Sequence, residues 1–140
     1  MQMQTLVAAA PARTVQGRVL HILEPISFWG GVSPLDGTLS DPRSRQHGRA
    51  LANRVVFIRE LRGSSSGSSV LLELVYKRVA PSAIVLTEPD AILTLGVLVA
   101  SEMHWPSPAI FKLPLEKQLA IAEDAMLSID MTGHASIVAG

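Results

Sequence analysis

The residues best suited to chemistry form a glycine and serine loop, Gly-Ser-Ser-Ser-Gly at residues 63–67. The loop follows a β-branched run that predicts a strand over residues 54–59, and it precedes apolar residues at helical spacing that predict a helix over residues 66–78. In such a turn glycines allow a positive φ and close approach of a ligand, and amides at the helix start attract anions. The loop, called the serine loop below, is therefore predicted to meet a carboxylate or a phosphate.

Two other interpretations of the serine loop are weaker. A run of serine and glycine is often a flexible linker, but a linker separates domains, whereas this run joins two elements of one crossover. Gly63 and Gly67 are too close together for a Walker A loop, and no lysine precedes Ser68. Nucleotide binding is therefore disfavoured.

A nucleophile elbow is the enzyme alternative, because residues 63–67 also match Gly-x-Ser-x-Gly with Ser65 at the centre. A hydrolase of that kind needs a histidine and a carboxylate later in the chain. Candidates are present only in a generic sense: His104, His134, Asp124 and Asp130. The chain is also short for that fold, so hydrolysis ranks below the other enzyme readings.

Length and composition limit which classes of fold and partner remain possible. The chain has 140 residues, 48% of them hydrophobic and 17% charged, which predicts one folded domain over residues 1–140. Acidic and basic residues balance at 12 each without forming blocks, so nucleic acid is not expected as a partner. The absence of cysteine excludes disulfides and thiolate metal ligands on this chain.

The amino terminus and the most apolar stretch of the chain bear on the cellular location of the protein. Residues 1–12 lack the basic start of a secretory signal and are predicted to be an irregular amino terminus. Residues 91–100 are about half as long as the roughly 20 residues of a membrane-spanning helix. A cytoplasmic protein without a membrane anchor is expected.

The order of predicted elements indicates an α/β fold. Strands alternate with helices through the middle of the chain, which is typical of parallel strands joined by right-handed crossovers. A capping-box pattern at residues 87–90 is expected to open the second of these helices. The predicted strands are residues 14–24, 54–59, 83–86, 109–111, 125–130 and 136–138, with an irregular hairpin at 26–40 and helices at 66–78, 91–102 and 115–122.

Four segments in a fixed order resemble the small-subunit family of aconitase X. They are Glu-Pro-Ile-Ser-Phe-Trp-Gly-Gly-Val at residues 24–32, Asp-Gly at 36–37, Gly-Ser-Ser-Ser-Gly-Ser at 63–68 and Ala-Pro-Ser-Ala-Ile-Val at 80–85. The resemblance covers about residues 17–103. It implies the swivelling β/β/α three-layer fold of the aconitase swivel domain. It also implies a large partner subunit that carries an iron-sulfur cluster or another metal, with no cofactor on this chain.

The resemblance further implies a dehydratase in which a serine of this chain removes a proton from a hydroxy acid. Ser64 occupies the matching position. Gly63, Ser65 and Ser66 would then contact the substrate. Classical aconitases place an arginine where this chain has Ser66, so the carboxylate must be held differently.

The implied site is completed by one cation, Arg62, and by residues 29–31. Arg62 is the nearest cation to the serine loop, although it is equally well read as a solvated charge at a strand end. Trp29, Gly30 and Gly31 would form a wall on the substrate side, since glycines let backbone approach a ligand and tryptophan excludes water. The alternative for Trp29 is a core residue.

The substrate remains a choice within the family. The first hypothesis is cis-3-hydroxy-L-proline, dehydrated to Δ1-pyrroline-2-carboxylate by a heterodimer or a higher assembly. The second is 5-phosphomevalonate, which would require extra cations for its phosphate. A hypothesis from another class is a non-catalytic interaction domain that docks through the serine loop and Phe28-Trp29.

Overall fold

A computed structural model describes residues 1–63 and 65–138 of the chain. Its seven strands form one mixed sheet in the order β1-β5-β4-β3-β2-β6-β7. The strands are β1 Gln4–Val7, β2 Val15–Ile22, β3 Val55–Ile58, β4 Ala83–Leu86, β5 Ala109–Lys112, β6 Met126–Ile129 and β7 Ala135–Ile137. The helices are α1 Phe28–Gly31, a single kinked turn, α2 Gly67–Tyr76, α3 Ala91–Glu102 and α4 Leu115–Leu119.

The centre of the sheet is parallel. Strands β2, β3, β4 and β5 run side by side, with Val19, Val55, Ala83 and Ala109 in register across them. Strands β3 and β4 are short apolar runs buried along their whole length, as expected for parallel strands covered on both faces. Helices α2 and α3 form the crossovers from β3 to β4 and from β4 to β5, so the predicted strand and helix alternation is confirmed.

Both faces of the sheet are covered, but by different means. On one face α2, α3 and residues 26–51 pack over a core that includes Leu20, Val56 and Ile84. On the other face the sheet curls on itself around Phe57 and Phe111. The edges approach closely, because the Met3 amide donates to the Gly133 carbonyl at 2.9 Å and the Ala135 amide donates to the Met1 carbonyl at 2.7 Å. The result is a half-barrel with helices, in agreement with the predicted α/β class.

The structure differs from the sequence-based expectation at the amino terminus. Residues expected to be irregular form β1, which pairs antiparallel with β5, and Met3 is buried. Strand β5 would otherwise present an open edge, which β1 covers. Unlike the equally short β3 and β4, β1 is neither an apolar run nor an alternating pattern, and its pairing partner lies more than a hundred positions away in the sequence.

The start of α3 also differs in detail. The helix has the predicted bounds, yet Asp90 is its N-cap and accepts from the Leu93 amide at 2.8 Å. Thr87, the expected capping residue, donates its hydroxyl to the Arg59 carbonyl instead. Pro89 follows Thr87 too closely for a helix to begin there, because proline disfavours helical backbone in the residue before it. Within the described ranges, none of the helices has the length and apolar composition needed to cross a bilayer.

Candidate active site

The candidate site lies where the parallel strands end. The segments that follow β2, β3 and β4 all emerge at the carboxyl ends of these strands, which is where open α/β sheets bind ligands. A cavity of about 400 Å³ opens there between the ends of β3 and β4. Its polar lining consists mainly of Arg59, Glu60, Thr87, Glu88 and Asp90.

Backbone hydrogen bonds join the segment that precedes the serine loop to the segment that precedes Trp29, Gly30 and Gly31, here called the glycine wall. The Ile26 amide donates to the Glu60 carbonyl at 3.1 Å, and the Arg62 amide donates to the Ile26 carbonyl at 2.8 Å. Ile26 therefore lies beside residues 60–62, although more than 30 residues of sequence separate them. The structure thus holds the segment that leads to Trp29, Gly30 and Gly31 against the segment that leads through Arg62 to Gly63.

The serine loop leads directly into α2. Ser66 stands at the N-cap, and the Ser68 hydroxyl donates to the Ser65 carbonyl at 2.9 Å. Ser64, the predicted base, lies outside the described residues. No acidic residue occupies the first turn of α2, so no side chain there opposes an anion at the positive end of this helix.

Neighbouring elements hold the start of α2 on two sides. A side chain built at Gly67 would meet Ile92 of α3 at 3.6 Å and Phe28 at 3.7 Å. Farther along the same contact, a side chain at Gly96 would meet the Ser68 carbonyl at 3.0 Å. Because these glycines allow close packing, α2 begins in a groove between α3 and the glycine wall.

Trp29 is solvent-exposed, with 63% of its surface accessible. The alternative reading of this residue as a core tryptophan is therefore wrong; Phe28 occupies the core instead. The backbone leaves the helical region at Trp29, where ψ is 112°, and Gly30 follows with φ of 85°. The indole is exposed to solvent, where it can contact a ligand or a partner chain.

Ser40 and Asp41 support the glycine wall and were not anticipated from the sequence. The Ser40 hydroxyl donates to the Gly30 carbonyl at 3.1 Å, and the Ser40 amide donates to the Gly31 carbonyl at 3.0 Å. Asp41 is buried beside Gly31 and accepts two hydrogen bonds from the Arg43 guanidinium, each of 3.0 Å. These bonds from Arg43 hold the pKa of the Asp41 carboxyl below its usual range.

The charges of the site are mixed. The Arg62 side chain is two-thirds exposed and forms an ion pair with Glu60 at 3.2 Å. Arg59 lines the cavity and makes no ion pair with any residue that the structure describes. Sequence reasoning missed Arg59, although its position directly after a buried strand is a usual place for a functional residue.

The arrangement needed for a hydrolase is not formed. Asp124 pairs with Arg49 and Arg54 at the other end of the parallel strands. His104 follows α3 and precedes β5, and Asp130 accepts backbone hydrogen bonds from Thr132 and His134 in the β6–β7 turn. Ser65 follows β3 at the carboxyl ends of the parallel strands, whereas these candidate side chains lie at the amino ends. None of them can therefore form a triad with Ser65.

The histidines and carboxylates do not suggest a metal site on this chain. Among residues 1–63 and 65–138, no group of three or more histidine, aspartate or glutamate side chains is placed to hold a metal ion. His21 has a structural role, because its Nε2 lies 2.7 Å from the Ile121 carbonyl and its ring packs edge-on against Phe57.

Comparison with known proteins gives this geometry a context. A family profile described as the aconitase X swivel domain matches residues 4–138. A crystal structure of Thermococcus kodakaraensis aconitase X in its holo form has a chain that superposes with a TM-score of 0.81 at 23% identity, with 99% of this chain and 97% of that chain covered. At that identity the superposition demonstrates a shared fold.

Two relatives extend the comparison. Cis-3-hydroxy-L-proline dehydratase of Pseudomonas aeruginosa is 45% identical over 100 residues, which are 71% of this chain but only 17% of the relative. The phosphomevalonate dehydratase small subunit of Methanothermobacter thermautotrophicus is 33% identical over 111 residues, which are 79% of this chain and 80% of the relative. With nearly all of its length matched by the family profile, the chain belongs to the aconitase X swivel domain family.

Proposed function

We propose that this chain is the small subunit of an aconitase X-type dehydratase, which removes water from a hydroxy acid together with a larger partner chain. Membership of the swivel domain family supports this, and so does a relative of similar length that is named a small subunit. The Pseudomonas relative is several times longer than the matched segment, which supports a partner that in other proteins is part of the same polypeptide.

We propose cis-3-hydroxy-L-proline as the substrate. The observation that carries this choice is the charge of the cavity, whose lining has the carboxylates of Glu60, Glu88 and Asp90 against the single guanidinium of Arg59. Such a lining would repel a phosphate, whereas the ammonium of a cyclic amino acid suits carboxylates and its own carboxylate suits Arg59 and the start of α2. The higher identity to the hydroxyproline dehydratase, 45% against 33%, points the same way.

In the proposed reaction Ser64 removes the proton from C2 of the substrate. The electrons of that C–H bond form the C2=C3 double bond, and the hydroxyl on C3 departs and takes up a proton to become water. The resulting enamine then tautomerises to Δ1-pyrroline-2-carboxylate. A metal on the partner chain would supply a Lewis acid for the departing hydroxyl.

The serine must be ionised to act as a base, which requires several kcal/mol of stabilisation at neutral pH. The start of α2 contributes about 0.3–2 kcal/mol, since no acidic residue in its first turn opposes the negative charge. Arg59, which makes no ion pair with a described residue, would supply positive charge, whereas the charge of Arg62 is partly compensated by Glu60. Burial against the partner would strengthen these interactions. Exposed Trp29 would exclude water once the partner covers the site.

Phosphomevalonate dehydration is the second candidate, favoured by the small-subunit relative that matches over most of its length. Assaying the purified two-chain complex with both substrates separates the candidates. We expect kcat/KM for cis-3-hydroxy-L-proline to exceed that for 5-phosphomevalonate by about 10⁴-fold, as for a site whose charges fit one ligand and reject the other. The reverse preference would establish the second candidate. A complex that forms yet dehydrates neither substrate would favour the non-catalytic interaction domain.

A further inference from the structure

Helix α3 is apolar on both of its faces. Residues 91–101 contain no charged side chain. Leu93, Val97 and Ala100 are buried against the sheet, as in any helix of this fold. The opposite side carries four exposed apolar side chains at helical spacing, Leu95, Leu98, Val99 and Met103, here called the α3 face. A helix that is apolar all round is typical of one covered on both sides.

The outer sides of α2 and α4 carry charged side chains beside exposed Tyr76 and Leu119. In α2 an ion pair between Glu73 and Lys77 at 3.2 Å occupies the exposed side, and α4 carries Glu116 and Lys117. Single exposed apolar residues are normal on a protein surface, but a contiguous stripe marks a site of interaction. Leu95 and Leu98 have 56% and 48% of their surface accessible, so the α3 face is largely uncovered in the single chain.

The α3 face is continuous with the candidate active site. Ile92, in the first turn of α3, lies within 3.2 Å of the position that a side chain at Gly63 would take, and it also borders Gly67. Phe28 borders Gly67 from the other side, and Trp29 beside it is exposed. A surface laid over the start of α2 would therefore touch α3 on one flank and Trp29 on the other.

We propose that the α3 face is the docking surface for the large chain of the dehydratase, which rests on the proposed function. A stable interface buries about 800 Å² on each partner, more than four side chains of one helix can supply. The surface to be covered extends from the α3 face past Ile92 to the start of α2, and on to exposed Trp29 beside Phe28 on the other side of Gly67. A partner that covers this whole surface also closes the active site, as the large chain must, whereas a second copy of this chain would bury two serine loops against each other.

The test uses the absence of cysteine from the sequence, since one introduced thiol is then unique in this chain. Leu98→Cys places it on the α3 face, and Met131→Cys places it in the β6–β7 turn, where Met131 is also well exposed. Each variant is treated with a maleimide alone and with saturating large chain from the same organism, and modification of this chain is followed by mass spectrometry. We expect the large chain to slow alkylation about tenfold or more at position 98 and to leave position 131 unchanged, because burial hides a thiol from a reagent.

A charge substitution gives an independent measurement. Leu95→Glu combined with Leu98→Glu should weaken binding of the large chain about 100-fold or more, since two unpaired carboxylates would be buried. Met131→Glu should bind as the wild type does. The variants face solvent in the single chain, so circular dichroism and thermal unfolding of the isolated chain should change little.

The outcomes separate this proposal from the proposed function. A complex that forms with the thiol at position 98 unprotected, or with the double glutamate variant at full affinity, overturns the docking surface and leaves the proposed function standing. The docking surface is also overturned if, in the absence of the large chain, alkylation at position 98 slows as the concentration of this chain rises. A second copy of the chain then occupies the α3 face. Failure of the wild-type chain to bind the large chain counts against the proposed function itself.

Discussion

Replacing Ser64 by alanine is expected to lower kcat of the two-chain dehydratase about 10³-fold, within the range that general bases contribute. KM should change little, because the hydroxyl removed acts on the C2 proton rather than on the groups that hold the substrate. Steady-state kinetics on cis-3-hydroxy-L-proline with purified complex provide the measurement. Exchange of the C2 proton with solvent deuterium should be lost to the same extent.

The matched control for Ser64→Ala is Ser69→Ala, which removes an exposed hydroxyl in the first turn of α2. This variant should keep wild-type kcat and KM. Full activity in Ser64→Ala would remove Ser64 from the role of base. If activity remained in Ser64→Ala but disappeared in Ser65→Ala, the base would be the next serine of the loop.

Replacing Phe57 by alanine should lower the free energy of unfolding of the isolated chain by about 3–5 kcal/mol. The Phe57 side chain is 1% exposed, lies in the core of the curled face of the sheet and meets the His21 ring edge-on at a centroid distance of 5.0 Å. Domains of this size are stable by only about 5–15 kcal/mol, so the loss is a large share of the total. Urea unfolding followed by circular dichroism measures it.

Phe57→Leu is the control for that experiment, since it keeps most of the apolar volume and should cost less than about 1.5 kcal/mol. Equal losses for the two variants would mean that the aromatic contact with His21, rather than the filled volume, stabilises this part of the core. A loss below about 1 kcal/mol in Phe57→Ala would contradict the packing described for the curled face.

The central part of the fold could be predicted from the sequence because its signals are local. Strands β3 and β4 are uninterrupted apolar runs, and α2 has apolar residues at helical spacing. A capping-box pattern precedes α3. The irregular hairpin at residues 26–40 was also predicted. Within it the structure shows why residue 37 is glycine, because its φ is 74°. Local signals of this kind do not depend on which elements meet in space.

Features that depend on distant contacts could not be predicted in this way. The pairing of β1 with β5 joins the two ends of the chain, and Ser40 reaches the glycine wall only because residues 32–39 fold back as a hairpin. Arg59 ends the predicted strand at residues 54–59, and only the cavity between the ends of β3 and β4 distinguishes it from other charged residues. That Trp29 and Arg62 belong to one site stays a prediction from the family resemblance, since nothing in their spacing implies contact.

Reconstitution tests the central claim, that this chain supplies half of a dehydratase active site, most directly. The large chain, purified alone, is titrated with this chain while dehydration of cis-3-hydroxy-L-proline is followed. We predict that neither chain is active alone and that the rate rises with added small chain until the two are equimolar. Full activity of the large chain without this one, or a stable but inactive mixture, would contradict the claim.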